Sequence, residues 1–297
     1  MRVELHHVVK RYGKLAALAG VDLDLASGTR IALIGPNGSG KTTLTRAVMG
    51  LVEHDGEIRL DGRAGAAARA ALAPRIAYVP QIAPQMAATV GDLVRTVAGV
   101  RGLAPRAIVD VAAALGLEVA TVKDRAFRGL SGGMKQKLLI ALALGARPDL
   151  IILDEPTASL DAEARARFVE LERELLAGAT VILCSHRLDE LRAMVHRVVA
   201  LADGKIVHDG AADAYVTGHT HSIFELLVGD VAANDAAATW LATEGFARTA
   251  GGWWSRAVDH DAKMRLLPEA MTVLGPALRD VVVRDLDRVT VAGEVAS

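Results

Sequence analysis

Cysteine is almost missing from this chain: Cys184 is the only one in 297 residues. A disulfide framework within the chain is thereby excluded, and a reducing compartment fits best, with the cytoplasm as the expected location. Aromatics are scarce too, at 3% against an apolar share of 52%. Neither sign of charge dominates: 34 Lys+Arg face 35 Asp+Glu, a net charge of -1. That balance lacks the basic stripe or domain a nucleic-acid binder needs, so no nucleic-acid partner is expected. Long hydrophobic runs are missing as well. The longest uncharged apolar stretch, Leu138 to Ala146, falls far short of the ~20 residues of a spanning helix. The start, Met1-Arg2-Val3-Glu4-Leu5, has no apolar core of a secretory signal.

What is present is a succession of short apolar segments whose period changes along the chain. Val3–Val9 and Val21–Leu25 alternate as strands, Arg30–Ile34 reads as a buried strand, and from Lys41 the pattern is helical, with Leu44, Val48 and Leu51 on one face. Gly56–Gly62 reads as a further strand and turn. Residues 86 to 128 suggest two or three helices with breakers at Gly99, Gly102, Pro105 and Gly116. Beyond Gly129 helices (Met134–Ala146, Ala162–Ala177, Leu188–Val195) alternate with strands (Leu150–Leu153, Thr180–Cys184, Val198–Leu201). Such alternation implies an α/β fold with a mostly parallel sheet covered on both faces. At Asp230 the composition shifts to Ala/Asp/Thr. A smaller α+β pattern follows: helix Ala236–Glu244, a hairpin across Gly251-Gly252 flanked by Phe246 and Trp253-Trp254, helix Leu266–Leu274 and strand Asp280–Arg284. The expected division is therefore residues 1–228, containing a helical subdomain at about 82–148, and an accessory unit, residues 229–297.

Chemistry is concentrated in the first division. Gly35-Pro36-Asn37-Gly38-Ser39-Gly40-Lys41-Thr42 has the G-x-x-x-x-G-K-[ST] form, between a predicted strand and a predicted helix. Glycines let successive N–H groups converge on phosphate oxygens, the helix N-terminus adds partial positive charge, Lys41 reaches the β/γ-phosphates, and Thr42 offers a hydroxyl to Mg²⁺. Thr43 completes the expected nucleotide-contacting run. The matching carboxylates stand in Leu150-Ile151-Ile152-Leu153-Asp154-Glu155. Asp154 is positioned to hold Mg²⁺, and Glu155, beside it at the strand end, to polarise an attacking water as general base. MgATP is the expected ligand.

Leu130-Ser131-Gly132-Gly133-Met134-Lys135-Gln136 resembles the signature motif of ATP-binding cassette (ABC) ATPases, in the family's order between phosphate loop and acidic strand. Ser131 reads as a helix N-cap, so that its hydroxyl and the Gly132 and Gly133 amides make a second anion site. The family form usually has Gln where Met134 stands. The resemblance assigns this second site to ATP held by another subunit and extends to four more positions. Tyr12 matches the aromatic that stacks on adenine, its alternative being a strand-end core tyrosine. Gln81 in Tyr78-Val79-Pro80-Gln81 matches the glutamine that approaches Mg²⁺ and water. Asp161 in Ser159-Leu160-Asp161 matches the D-loop and doubles as a candidate N-cap. His186 matches the switch histidine at the γ-phosphate.

The resemblance covers residues 1 to about 225. It implies a P-loop ABC-type nucleotide-binding domain, with an antiparallel β subdomain and a helical subdomain, that hydrolyses ATP in a head-to-tail dimer. Catalysis would rest on Glu155, His186, Gln81 and Lys41, with Thr42, Gln81 and Asp154 at the metal, and Ser131, Gly132, Gly133 and Asp161 contacting nucleotide in trans. With no membrane span, transport requires separate integral membrane permease subunits, docked near residues 81 to 104, and holds the chain at the inner face of the membrane. The Met134-Lys135-Gln136-Lys137-Leu138 and Ile182–His186 runs resemble bacterial single-cassette exporter-type subunits, and also the ATPases of nitrous oxide reductase copper-site maturation. A soluble ABC ATPase of protein or metal-cofactor assembly is the alternative. Cys184 reads as a small buried strand residue rather than a copper ligand, His219 and His221 as polar loop or a metal pair, and Trp253-Trp254 as hairpin packing or a ligand contact. The accessory unit is expected to serve dimer contacts or regulation.

Overall fold

The computed structural model describes residues 1–185, 187–219, 222–229, 235–249 and 252–285. The chain divides into two compact units, Met1–Ser185 with Glu190–Ala212, and His186–Asp189 with Asp213–Ser297.

In the first unit the strands β1 (Val3–Tyr12), β2 (Leu15–Leu25), β4 (Asp55–Leu60) and β5 (Arg63–Ala64) form an antiparallel sheet of order β2-β1-β4-β5. A second sheet, order β10-β9-β3-β8-β7-β6, contains β3 (Arg30–Ile34), β6 (Ile76–Val79), β7 (Leu150–Asp154), β8 (Thr180–Cys184), β9 (Arg197–Ala202) and β10 (Lys205–Ala211). All its pairs are parallel except β10 with β9. Every residue of β8 and four of five in β3 and β7 are buried, as a parallel sheet covered on both faces requires. The helix α1 (Lys41–Val48) buries Leu44, Ala47 and Val48 in one core with Leu5, Leu18 and Ile58 of the antiparallel sheet and Ile31, Leu33 and Leu201 of the parallel one. Each such Leu or Val contributes roughly 1.5–3 kcal/mol. The phosphate loop preceding α1 is thus anchored between two sheets.

After α2 (Ala66–Leu72) and β6, the helices α3 (Val90–Arg101), α4 (Arg106–Ala114) and α5 (Val119–Val122) occupy the region read as two or three helices. They lead into α6 (Gly132–Leu144), β7 and α7 (Ala162–Leu175), and α8 (Leu188–Met194) follows β8. Gly20 lies within β2, beside register shifts between β1 and β2.

The second unit holds α9 (Ala212–His219) from Asp213 on, β11 (Ser222–Val228), α10 (Asp235–Thr243), β12 (Ala247–Arg248), β13 (Trp254–Val258), α11 (His260–Leu274) and β14 (Leu278–Asp285). From β11 onward the order is β-α-β-β-α-β, and the sheet order β12-β13-β11-β14, antiparallel throughout, is that of a split βαβ, ferredoxin-like unit. The structure therefore moves the division from 228/229 to Ala212/Asp213, because Ser222–Val228 is a central strand of the second sheet. Its alternation, Ser222, Phe224, Leu226 and Val228 buried, precedes the composition shift that the sequence reading used as a boundary. Phe224 meets Phe246 edge-on at 5.9 Å, Trp240 stacks on Phe246 at 5.6 Å, and Trp254 packs on the same core, the hairpin-packing role. His186, Thr220, His221 and Gly251 lie outside the described residues, as does the side chain of His219.

Candidate nucleotide site

The phosphate loop joins β3 to α1, and its path needs glycine at two crowded points. Gly35 has φ 151°, and a Cβ there would sit 2.3 Å from the Leu201 carbonyl oxygen; at Gly40, φ 107°, it would sit 2.4 Å from that of Ala17. A side chain at either position would displace backbone from the cradle. Lys41 Nζ donates to the carbonyl oxygens of Gly35 and, at 3.0 Å, Pro36. Asn37, Gly38 and Thr42 are exposed, Thr43 is half-buried, and Ser39 is buried. Ser39 Oγ has no hydrogen-bond partner among the described residues. A buried hydroxyl without a partner inside a glycine cradle at a helix N-terminus suits an oxyanion ligand.

Asp154 ends β7, opposite Cys184 of β8. Tyr78, on the adjoining strand β6, donates its hydroxyl to Asp154 Oδ2 at 3.3 Å. Burial pushes the Asp154 carboxyl above its ordinary value; the Tyr78 hydrogen bond and the nearby Lys41 ammonium pull it back, while the Glu155 charge adds to the rise. Tyr78 in turn is pushed up to about 12, by burial first and then by Asp154. Lys41 and Glu155 thus both act on Asp154, so the loop and the acidic strand end form one electrostatic site. Glu155 adopts φ 47°, left-handed for a non-glycine residue, and its N–H donates to the Cys184 carbonyl at 2.8 Å. A backbone held there costs on the order of 1–3 kcal/mol, the sort of strain that collects at functional sites. The Cys184 thiol is buried and raised by that burial, the small strand residue expected. Thr42 hydroxyl and Asp154 carboxylate are hard oxygen donors, and such a sparse set fits Mg²⁺, which commonly completes its shell with water and substrate phosphates.

Tyr12 ends β1, is 48% exposed, and carries Lys10 Nζ 5.2 Å from its ring centroid. It is no core tyrosine. Gln81 follows β6 and is exposed, beside Ile82 at 81% exposure.

The 131–133 turn belongs to a different cluster. Ser131 caps α6, its Oγ accepting from Met134 N at 3.3 Å, and Asp161 caps α7, its Oδ1 accepting from Ala164 N at 2.8 Å. Lys137 of α6 pairs with Asp161 at 3.3 Å. Gln136, buried, donates to the Pro156 carbonyl at 2.8 Å, fastening α6 to the segment after Glu155. Among the described residues no hydrogen bond or ion pair joins residues 35–43 to residues 131–133. The supporting roles of Tyr78, Gln136 and Lys137 escape the sequence reading. Only the clash of a buried glutamine with its helix's apolar run hints at one of them.

Residues 18–158 match the family model described as ABC transporter. An Fe(3+) ions import ATP-binding protein of Mesorhizobium japonicum is 39% identical over 237 residues, 76% of this chain and 65% of that one. A Nod factor export ATP-binding protein of Paraburkholderia xenovorans is 34% identical over 72% of each chain. The chain spans 41% and 44% of the length of two other relatives. A solved ATP-binding subunit of an ABC transporter superposes with TM-score 0.65 at 26% identity, covering 73% of this chain and 92% of that one. With its P-loop nucleotide-binding fold and its motifs in order, this chain belongs to the ABC transporter family and carries that family's ATPase domain.

Proposed function

We propose that the chain binds MgATP, hydrolyses it in a head-to-tail dimer with a second copy, and thereby drives separate integral membrane permease subunits from the cytoplasmic face. The observation that carries this reading is the split between two anion sites: a cradle of Gly35, Gly40, Lys41 and a buried Ser39 hydroxyl beside Asp154 and Glu155, and an exposed Ser131-Gly132 turn on another cluster. Loop N–H groups and Lys41 bind the phosphates, Tyr12 stacks on the base, and Thr42, Asp154 and Gln81 hold Mg²⁺, which when bound neutralises charge on the phosphate oxygens. Glu155 takes the proton of the attacking water. His186 of the same chain, and Ser131, Gly132, Gly133 and Asp161 of the second copy, stabilise the charge that develops on the γ-phosphate. No helix among the described residues is long and apolar enough to cross a membrane, which supports a peripheral subunit. Export is the finer part of the proposal, supported by the Met134–Leu138 and Ile182–His186 runs; relatives named for import and for export both match.

Glu155→Gln is the test. It should retain ATP binding, lose at least ~10²-fold in turnover and elute with ATP as a dimer whose formation requires Ser131; full turnover in the variant would refute the assignment. Co-purification with a multi-span membrane protein supports the permease, and ATP-driven cargo uptake into inside-out vesicles supports export. Recovery solely with a soluble partner would favour an assembly ATPase instead.

A further inference from the structure

The sheet of the second unit ends in β14, eight residues long and paired to β11 on one side. Its other side has no strand partner among the described residues. An open edge of that length presents a row of N–H and C=O groups and is a template for another strand. The opposite edge, β12, is two residues long.

The strand's sequence selects its partner. Arg279-Asp280-Val281-Val282-Val283-Arg284-Asp285 is complementary to itself read backwards. Two copies laid antiparallel about Val282 bring Asp280 opposite Arg284, and valine opposite valine between them. Residues opposite one another share a face of the sheet, so each pair is apolar or of opposite charge on the same side. A slip of one position in either direction breaks both Asp280–Arg284 pairs. Asp280 accepts a hydrogen bond from the Val281 N–H at 2.8 Å and has no ion pair among the described residues. Arg284, 70% exposed, leans on Glu225 of β11 at 2.5 Å and keeps donors for a second carboxylate.

An independent feature lies beside the same edge. On α11, Leu266, Ala270 and Leu274 face the core, and Arg265, bonded to Glu244 and Glu269, marks the side toward the end of α10. At 100° per residue, Leu267, Met271 and Met264 point away from α10. They are 40%, 63% and 60% exposed. α11 packs on β11, β13 and β14; Glu244, which holds Arg265, also holds Arg256 of β13, so the opposite flank with its apolar stripe lies toward β14.

We propose that two copies of this chain pair through β14 about a two-fold axis at Val282, four strands from each copy making one continuous sheet, with α11 against α11 through Met264, Leu267 and Met271. The contact is isologous and requires no nucleotide. It uses none of the residues of the head-to-tail ATP dimer, so either contact can fail without the other.

Light scattering on the full chain without nucleotide, across a concentration series, is expected to show a dimer. Asp280→Arg sets Arg against Arg twice and should raise the dissociation constant at least about tenfold, as should Arg284→Asp. Mixing these two variants regenerates both opposite-charge pairs and should restore dimers, while the ATP-trapped dimer of Glu155→Gln persists in the Asp280→Arg background. Val282→Cys should cross-link under mild oxidation into a dimer, Cys184 being buried, and decides the matter if the charge variants misfold. A monomer at all concentrations, unchanged pairing in Asp280→Arg, or no Val282→Cys cross-link would overturn the proposal.

Discussion

The phosphate loop and the 131–133 turn both offer amides and a serine hydroxyl at a helix N-terminus, yet they are constrained in opposite ways. At Gly35 and Gly40 a Cβ would collide with backbone carbonyls of the same chain at 2.3 and 2.4 Å. A Cβ at Gly132 would meet nothing within 4 Å beyond its own helix, and at Gly133 its nearest neighbour would be the Ser159 carbonyl oxygen at 3.2 Å. The first half-site is fixed by its own chain. At the second, Gly132 is left open by its own chain, as the proposed contact with a second copy requires.

That contrast breaks most visibly at Gly35. Gly35→Ala forces the loop off Leu201, and ATP affinity measured by calorimetry should fall at least ~100-fold, about 2.8 kcal/mol, with ~1–3 kcal/mol of stability lost to overpacking. Gly132→Ala should leave both quantities at their wild-type values and lower turnover alone. If Gly132→Ala hydrolyses ATP normally, the turn meets no second copy during the reaction.

Ser131 sharpens the comparison, because its two roles separate chemically. Ser131→Ala removes the α6 cap, which typically costs ~1 kcal/mol, and should reduce turnover. Ser131→Asp keeps a capping oxygen but points a negative charge at the place assigned to the γ-phosphate. Its melting temperature should stay near wild type while turnover falls at least tenfold, roughly 1.4 kcal/mol. Equal turnover in wild type and Ser131→Asp would leave Ser131 a cap and nothing more.

The sequence made the crowded half-site legible because glycines, lysine and paired carboxylates recur there at short spacing, and local chain geometry demands them. It located β3, β8 and α7 closely, since uninterrupted burial or a capped helical period leaves a local trace. It missed α2 and β6, where an alanine-rich run and the four residues Ile76–Val79 carry too little pattern to choose a period. The boundary error at Ser222–Val228 has another cause: no strand is read there, the composition shift at Asp230 comes after it, and which sheet takes a strand is settled by long-range pairing. Tyr78 escaped for the same reason, because its partner Asp154 is brought beside it by the β6–β7 pairing. The ferredoxin-like order of the second unit is likewise a matter of long-range pairing, although α10, α11 and most of its strands were visible one by one; α9 was not.

The smallest expected effect tests whether the acidic strand end is tuned for ligand rather than for the fold. Burial raises the Asp154 carboxyl above its ordinary value, so the folded protein holds that proton more tightly than the unfolded chain does. Wild-type stability therefore declines as pH rises from below the unfolded value, 3.8, through the folded one, and is level above it. Asp154→Asn cannot titrate and can still accept from Tyr78. Free of metal and nucleotide, the variant should melt slightly higher than wild type at pH 7, by no more than about 1 kcal/mol because the carboxyl is partly solvated, and the advantage should vanish below about pH 4. With MgATP the order should reverse, since ligand that binds the native state stabilises only the protein able to hold it. A variant less stable than wild type at neutral pH would mean that the carboxylate supports the fold itself, and that the phosphate loop and its acidic neighbour are bound together by structure before any ligand arrives.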